Sequence, residues 1–168
     1  MSSSSERNES RDGDSQLWTA MLSNFSTSYN AVNIGLVFPM LKLLKGDESR
    51  EAESIIASAL LVGMMAGQLF GGVAGDFIGI LPALRLCMIV QVLSSLLSCV
   101  SSATFWLVTF RFILGIGAGG IYPLAALLSK GNSSEDSNKS DARVVWTFSL
   151  LGFGFVVAPL LGLILLHL

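Results

Sequence analysis

The side chains of this 168-residue chain that could bind or relay charge are few and widely spaced. Arg111 stands alone in an otherwise apolar stretch, Phe105 to Leu128, and is followed by Gly115, Gly117, Gly119, Gly120 and the pair Tyr122-Pro123. Tyr29, Asn30 and Asn33 sit in a second apolar run. Asn30 and Asn33 are three apart and Tyr29 and Asn33 four apart, so on a helix they share a face. Gln68 and Gln91 are further amides inside apolar runs, and Asp76 closes one such run. The one histidine, His167, leaves no His-based triad and no His cluster for a metal. Gly115 to Gly120 is followed by Ile-Tyr-Pro rather than Gly-Lys-Ser/Thr, which is not a phosphate-cradling loop. The chemistry open to these residues is non-covalent, either contact with a polar or anionic solute or hydrogen bonds between helices, and no metal, cofactor or enzymatic reaction is expected.

The composition says what must hold these residues. The chain is 52% hydrophobic and 13% charged, with mean hydropathy +0.66, whereas soluble domains are about 25% charged. Met1 to Gln16 is Ser-rich and lacks the apolar core of a signal peptide, so it reads as a disordered tail. Five apolar runs follow, at 17–44, 55–75, 82–100, 104–128 and 142–168. Each reaches the roughly 20 residues that cross a bilayer as a helix. The fold class is all-α integral membrane with five transmembrane helices. Pro39 marks a kink or an end, and Pro82 suits the first turn of the third helix. Gly63, Gly67 and Gly71 have the spacing of close helix packing, and Gly115, Gly117, Gly119 and Gly120 are read the same way. Cys87 and Cys99 fall in one run, so no disulfide framework is expected. No basic tract points to nucleic acid; the partner is the lipid bilayer. Arg7, Arg11, Arg85, Lys130, Lys139 and Arg143 fall on one side, and Lys42, Lys45 and Arg50 on the other. That bias puts the N-terminus in the cytoplasm.

Each candidate carries two readings. The asparagine face either lines a cavity or joins helices by hydrogen bonds. An arginine at membrane depth must face protein or a watery cavity, so Arg111 either meets an anionic solute or donates to carbonyls of neighbouring helices. Tyr122 either faces solute or packs. Asp76 is either a gate residue, with Arg85 and Arg143 as partners on its side, or a solvated residue at a helix end.

Two motifs resemble a known family. Gly72-Val-Ala-Gly-Asp76-Phe-Ile-Gly79 looks like the signature of the major facilitator superfamily, Gly-x-x-x-Asp-Arg/Lys-x-Gly-Arg/Lys. Arg111 with Gly115, Gly117 and Gly119 looks like its second, fourth-helix signature. The wording RFILGIGAGGIYPLAA is similar to the phosphate:proton symporter branch, where Gly-Gly-Asp-Tyr-Pro-Leu-Ser-Ala is typical. The resemblance covers Leu17 to Leu168 and implies the N-terminal part of a major-facilitator helical bundle. It implies a transporter of a small polar or anionic solute, phosphate- or sugar-like, working by alternating access between two halves. Tyr29, Asn30, Asn33, Arg111 and Tyr122 then fall along the substrate path, and Gly72, Asp76, Gly79 and Arg85 at a cytoplasmic gate. The resemblance favours the structural role for Arg111. There are departures. Phe77 and Ile80 stand where the signature has basic residues. Asn30 and Ile121 stand where the branch has acids, and Leu151 precedes Gly152 where it has glutamine. Proton symport is therefore not carried over. Twelve helices are usual, so five imply an N-terminal fragment that does not transport alone. The alternative is a non-transporting membrane protein that pairs with a second copy or a full-length relative.

Overall fold

The computed structural model of the chain describes residues 13–32, 49–100, 104–130 and 137–167, and all of these except Gly79 are α-helical. Helix α1 covers the described residues 13–32. It is followed by α2 (Ser49–Ile78), α3 (Ile80–Val100), α4 (Thr104–Lys130) and α5 (Ser137–His167). Among the described residues four helices are long and apolar enough to cross a membrane, over Ser54–Ile78, Ile80–Val100, Thr104–Lys130 and Asp141–Ile164. The far part of the first expected span, with Asn33 and Pro39, lies outside the described residues.

The helices overrun the apolar runs at their polar ends. α1 is already helical at residue 13, inside the expected tail. α2 begins at Ser49, inside the expected loop, and carries Asp76 within its last turn rather than beyond it. α4 continues to Lys130 and α5 starts at Ser137, so the polar connection between them shortens from both sides. Hydropathy sees only where lipid ends. A helix satisfies its own backbone there and continues, and the Glu-, Ala- and Arg-containing start of α2 has good helix propensity.

The turn between α2 and α3 is a single residue. Gly79 has φ +91°, a left-handed conformation that glycine adopts without strain and that commonly ends a helix. Its N–H donates to the Gly75 carbonyl at 3.1 Å, and its own carbonyl accepts from Ala83 at 3.1 Å. Pro82 then falls in the first turn of α3, where its missing N–H costs nothing.

Around this hairpin α4 is the central helix, packed on α2, α3 and α5. It lies parallel to α2, with Gly63 opposite Phe112, Gly67 opposite Ile116, Gly71 opposite Gly120 and Gly75 opposite Leu124. A β-carbon on Gly67 would strike the Ile116 carbonyl oxygen, and one on Gly71 would lie 2.5 Å from the Gly120 Cα. From the other side, a β-carbon on Gly119 would strike the Met64 carbonyl. The two backbones therefore touch directly. α3 crosses α4 antiparallel, with Gly117 against Cys87 and Gln91. At the Gly79 end, Ala20 of α1 joins Ala83, Leu84, Ile121, Leu124, Ala125 and Leu128 in one apolar cluster. Helices α1, α3 and α5 point one way; α2 and α4 point the other.

The exposed tryptophans fall toward the two ends of the bundle. Trp18 and Trp146, near the starts of α1 and α5, are 60% and 62% exposed at the Gly79 end. Trp106, at the start of α4, is 55% exposed at the opposite end and stacks on Phe110 at 5.9 Å between centroids. Such residues collect at headgroup level. From Trp106 along α4 to Leu127, level with the start of α1, is about 31 Å at 1.5 Å per residue, matching a hydrocarbon core of about 30 Å.

Because the α2–α4 seam has no clearance, Gly67→Leu is expected to cost at least about 1–3 kcal/mol, the usual penalty of overpacking. Gly152, with no atom near its missing β-carbon, is the control. Thermal unfolding in detergent should show a lowered midpoint for Gly67→Leu and an unchanged one for Gly152→Ala. Equal midpoints would mean that the helices do not touch as described.

Candidate functional site

The polar residues of α1 face inward, and their partners are on α3 and α5. Ser23, Asn24, Thr27 and Ser28 are each fully buried. The Asn24 Nδ2 donates to the Thr147 carbonyl of α5 at 3.4 Å. Gly154 of α5 lies so close to Ser28 that a β-carbon there would strike the Ser28 hydroxyl. Toward α3, the Thr27 hydroxyl lies 3.1 Å from the Gln91 side-chain amide and 2.8 Å from the Ser23 carbonyl. One hydroxyl has one proton. Donating it to Ser23, Thr27 can accept from Gln91 when the amide nitrogen faces it, which also gives the buried Gln91 Nε2 its missing partner. Further along, Ser95 donates to the Asn30 Oδ1 at 3.1 Å, and the Asn30 Nδ2 donates to the Ser26 carbonyl at 3.0 Å.

Asn30 thus joins α1 to α3 with both ends of its amide engaged, and Gln91 belongs to the same seam. Tyr29 is half-buried next to it, and Asn33 lies outside the described residues. Gln68 is exposed on α2. Sequence reasoning missed Thr147 and Ser95. Their signal is weak, because serine and threonine in a helix usually bond the carbonyl one turn back, as Thr147 also does to Arg143 at 2.9 Å.

On α4, Arg111 is only 9% exposed, and its Nε has no hydrogen-bond partner among the described residues. It lies five residues past Trp106, about 7.5 Å along the axis. Tyr122 is half-buried, next to Pro123 inside the helix. Arg111 and Tyr122 are eleven positions apart, three turns and therefore one face, but about 16.5 Å along the axis. Gly115 and Ala118 between them are buried, so no single small solute touches both. Ile121 is fully buried in the apolar cluster.

At the opposite end, Asp76 and Arg85 are exposed on either side of the Gly79 turn. Gly72 has open space at its missing β-carbon, and a β-carbon on Gly13 would lie 3.8 Å from an Arg143 nitrogen. Among the described residues no ion pair joins Asp76 to Arg85 or Arg143. The structure brings these charged groups to one end of the bundle without pairing them.

Comparisons with known proteins fit this architecture. Residues 16–168 match the family described as sugar (and other) transporter. The chain is similar to inorganic phosphate transporter PT2 of Toxoplasma gondii, 30% identical over 94% of this chain and 30% of that protein. It is similar to putative inorganic phosphate transporter 1-13 of Oryza sativa, 31% identical over 83% of this chain and 29% of that protein. The probable inorganic phosphate transporter 1-8 of Arabidopsis thaliana is 32% identical over 77% of this chain and 26% of its own length. The chain thus spans about three tenths of the length of these relatives. No solved structure gives a significant match.

The seam predicts a measurable coupling. In a double-mutant cycle of Thr27→Val and Gln91→Leu, the coupling energy read from unfolding in detergent should be about 0.6 kcal/mol, the mean for interhelical hydrogen bonds in membranes, and no more than about 1.7 kcal/mol. Additive effects would show that the 3.1 Å contact does not hold the helices.

Proposed function

The chain belongs to the sugar (and other) transporter family, and from that premise we propose that it forms the N-terminal membrane bundle of a secondary transporter for a small anionic solute, phosphate-like in shape and charge. The observation that carries this reading is the run of relatives named as inorganic phosphate transporters at about 30% identity across most of the chain. Together with the four candidate spans, the family makes the chain an integral, multi-pass membrane protein.

In this reading the solute passes along the bundle and meets Tyr122 and Arg111 at different depths, since the two are about 16.5 Å apart. Tyr29, Asn30 and Asn33 border the same path from α1. Asn30, held by Ser95, and Ile121, packed in the core, supply no proton-carrying carboxylate, so this part of the molecule contributes binding rather than proton coupling. Gly72, Asp76, Gly79 and Arg85 form a gate at the cytoplasmic end. A carboxylate there is free to pair with a cation or a helix N-terminus in one conformation and to release it in the other. The N-terminus is cytoplasmic, because Arg85, Lys130 and Arg143 gather at the Gly79 end and cytoplasmic segments carry the excess of Lys and Arg.

A second reading is a non-transporting membrane protein that associates with a second copy or a full-length relative.

Two measurements test these proposals. Cysteines placed singly at Ser4 and Ser49, in a background with Cys87 and Cys99 replaced by serine, are labelled in intact cells with an impermeant thiol reagent. Ser49→Cys should label and Ser4→Cys should not; the reverse overturns the orientation. The purified chain, alone and joined to the second half of a relative, is then assayed in liposomes for uptake of phosphate and of sugars, with and without a pH gradient. The joined protein should take up phosphate saturably, and Arg111→Ala should reduce uptake at least tenfold, about 1.4 kcal/mol. Uptake of sugar but not phosphate would overturn the solute class, and no uptake by the joined protein would favour the pairing reading.

A further inference from the structure

The inward face of α1 is short of hydrogen-bond donors. Thr27 is turned to α3 and Ser28 to α5. At about 100° per residue, Asn24 falls between the two around the helix axis. Among the described helices α3 and α5 have no packing contact of their own, so Asn24 stands where α1 wedges between them. The hydroxyls around it have already given up their protons. Ser23, Thr27 and Ser28 donate to the carbonyls of Ala20, Ser23 and Phe25, Ser94 to that of Val90 and Thr147 to that of Arg143, all between 2.7 and 2.9 Å. Two atoms are left over. The Asn24 Oδ1 is buried without a partner, although the Nδ2 of the same amide reaches Thr147. On Gln91 one amide atom meets the Thr27 hydroxyl, and the other is buried and unpaired. With the nitrogen turned to Thr27, that unpaired atom is Oε1, and the junction then holds two orphaned acceptor oxygens.

The two amides are neighbours. α1 and α3 run parallel, with Thr27 beside Gln91 and Asn30 beside Ser95, and Asn24 lies one turn before Thr27. Positions one turn apart on a face are about 5–6 Å from each other, yet the Asn24 and Gln91 amides do not bond each other directly. A water molecule with two hydrogen bonds of about 2.8 Å spans such a gap. We propose that the junction of α1, α3 and α5 is a binding site for one buried water, held by the Asn24 Oδ1 and the Gln91 side-chain amide. A buried acceptor without a donor is costly, and hydrocarbon supplies none; buried waters commonly serve such groups. The water gives one proton to the Asn24 Oδ1 and the other to the Gln91 Oε1. Charge selects it over a metal cation, because Ser23, Asn24, Thr27, Ser28, Gln91, Ser94 and Thr147 are all neutral and a cation at this depth would need a counter-charge. The water joins the Asn24–Thr147 bond to the Thr27–Gln91 bond, so one hydrogen-bonded chain runs from α5 through α1 to α3. The site depends on α1 lying between α3 and α5 and does not require the chain to transport.

The full chain, uniformly labelled with nitrogen-15, is studied in phosphatidylcholine bilayers by solid-state NMR that follows polarisation passed from water protons to nitrogen. The side-chain amides of Asn24 and Gln91 should receive it several-fold faster than the backbone nitrogens of Leu114 and Leu124, which are equally buried on α4. Transfer no faster than at those two leucines overturns the proposal, and this comparison needs no substitution. Gln91→Met keeps the length of the side chain and removes its amide. Transfer to the Asn24 amide should then fall several-fold, and unchanged transfer in the folded variant overturns the assignment of Gln91 as a water ligand. Replacing sodium chloride by choline chloride should leave the Asn24 and Gln91 signals where they are. A saturable shift with sodium would place a cation at the junction and overturn the proposal.

Discussion

The rest of the bundle depends on the missing β-carbons of the glycines along the α2–α4 seam. Lipid tails are as apolar as leucine, so helices in a bilayer gain little from hiding apolar side chains and must gain from close van der Waals contact and hydrogen bonds instead. Gly63, Gly67 and Gly71 against Phe112, Ile116 and Gly120 provide that contact by removing every atom between two backbones. In water, glycines inside a helix would each cost about 1 kcal/mol relative to alanine. Here the non-helical alternatives leave backbone polar groups unpaired in hydrocarbon, so that penalty recedes and the gain in contact dominates. Gly117 extends the same device to α3, so one helix reaches direct backbone contact with two neighbours on different faces.

α1 is held in a different way. Its inward face carries Ser23, Asn24, Thr27 and Ser28 instead of glycines, and it meets α3 and α5 through side-chain hydrogen bonds. Each such bond is weaker than the expense of an unpaired polar group suggests, because the separated helices also find partners. Their value lies in register. Asn24 reaches Thr147 only when α1 and α5 are at one height, and Asn30 reaches Ser95 only when α1 and α3 are. The glycine seam sets distances and the polar seam sets heights.

Much of this was legible in the sequence, and the reasons are physical. Apolar runs of about 20 residues report the bilayer directly, and small residues four apart report a close seam, so α2 to α5 and the face of α4 could be read. The polar face of α1 could be seen, but not its direction, because a cavity and a neighbouring helix ask for the same amides. Thr147 and Ser95 carry no signal of their own. Helix ends lie outward of the apolar runs because the backbone outside the lipid obeys helix propensity rather than hydropathy, as at Ser49 and Ser137. Asp76 was read as lying past a helix end, although the positive φ of Gly79 sets the end three residues later. At Arg111, composition indicated a protein-facing guanidinium, and the structure buries it among the helices.

The two seams also constrain how such a bundle can move. A contact in which a β-carbon on Gly71 would stand 2.5 Å from the Gly120 Cα cannot slide by a fraction of a turn, because either neighbouring register brings side chains into the space that only glycine leaves free. Packed interfaces of this kind are bistable at best and do not deform smoothly. The hydrogen bonds from α1 to α3 and α5 add the same restriction in height. The described helices therefore behave as one body, and large relative motion is cheapest at their outer surface, where they have no fixed partner. In proteins built from two helical bundles, alternating access proceeds by rocking of one bundle against the other. A seam like that of α2 on α4 keeps a bundle from shearing internally, so that any such movement is not dissipated between its own helices.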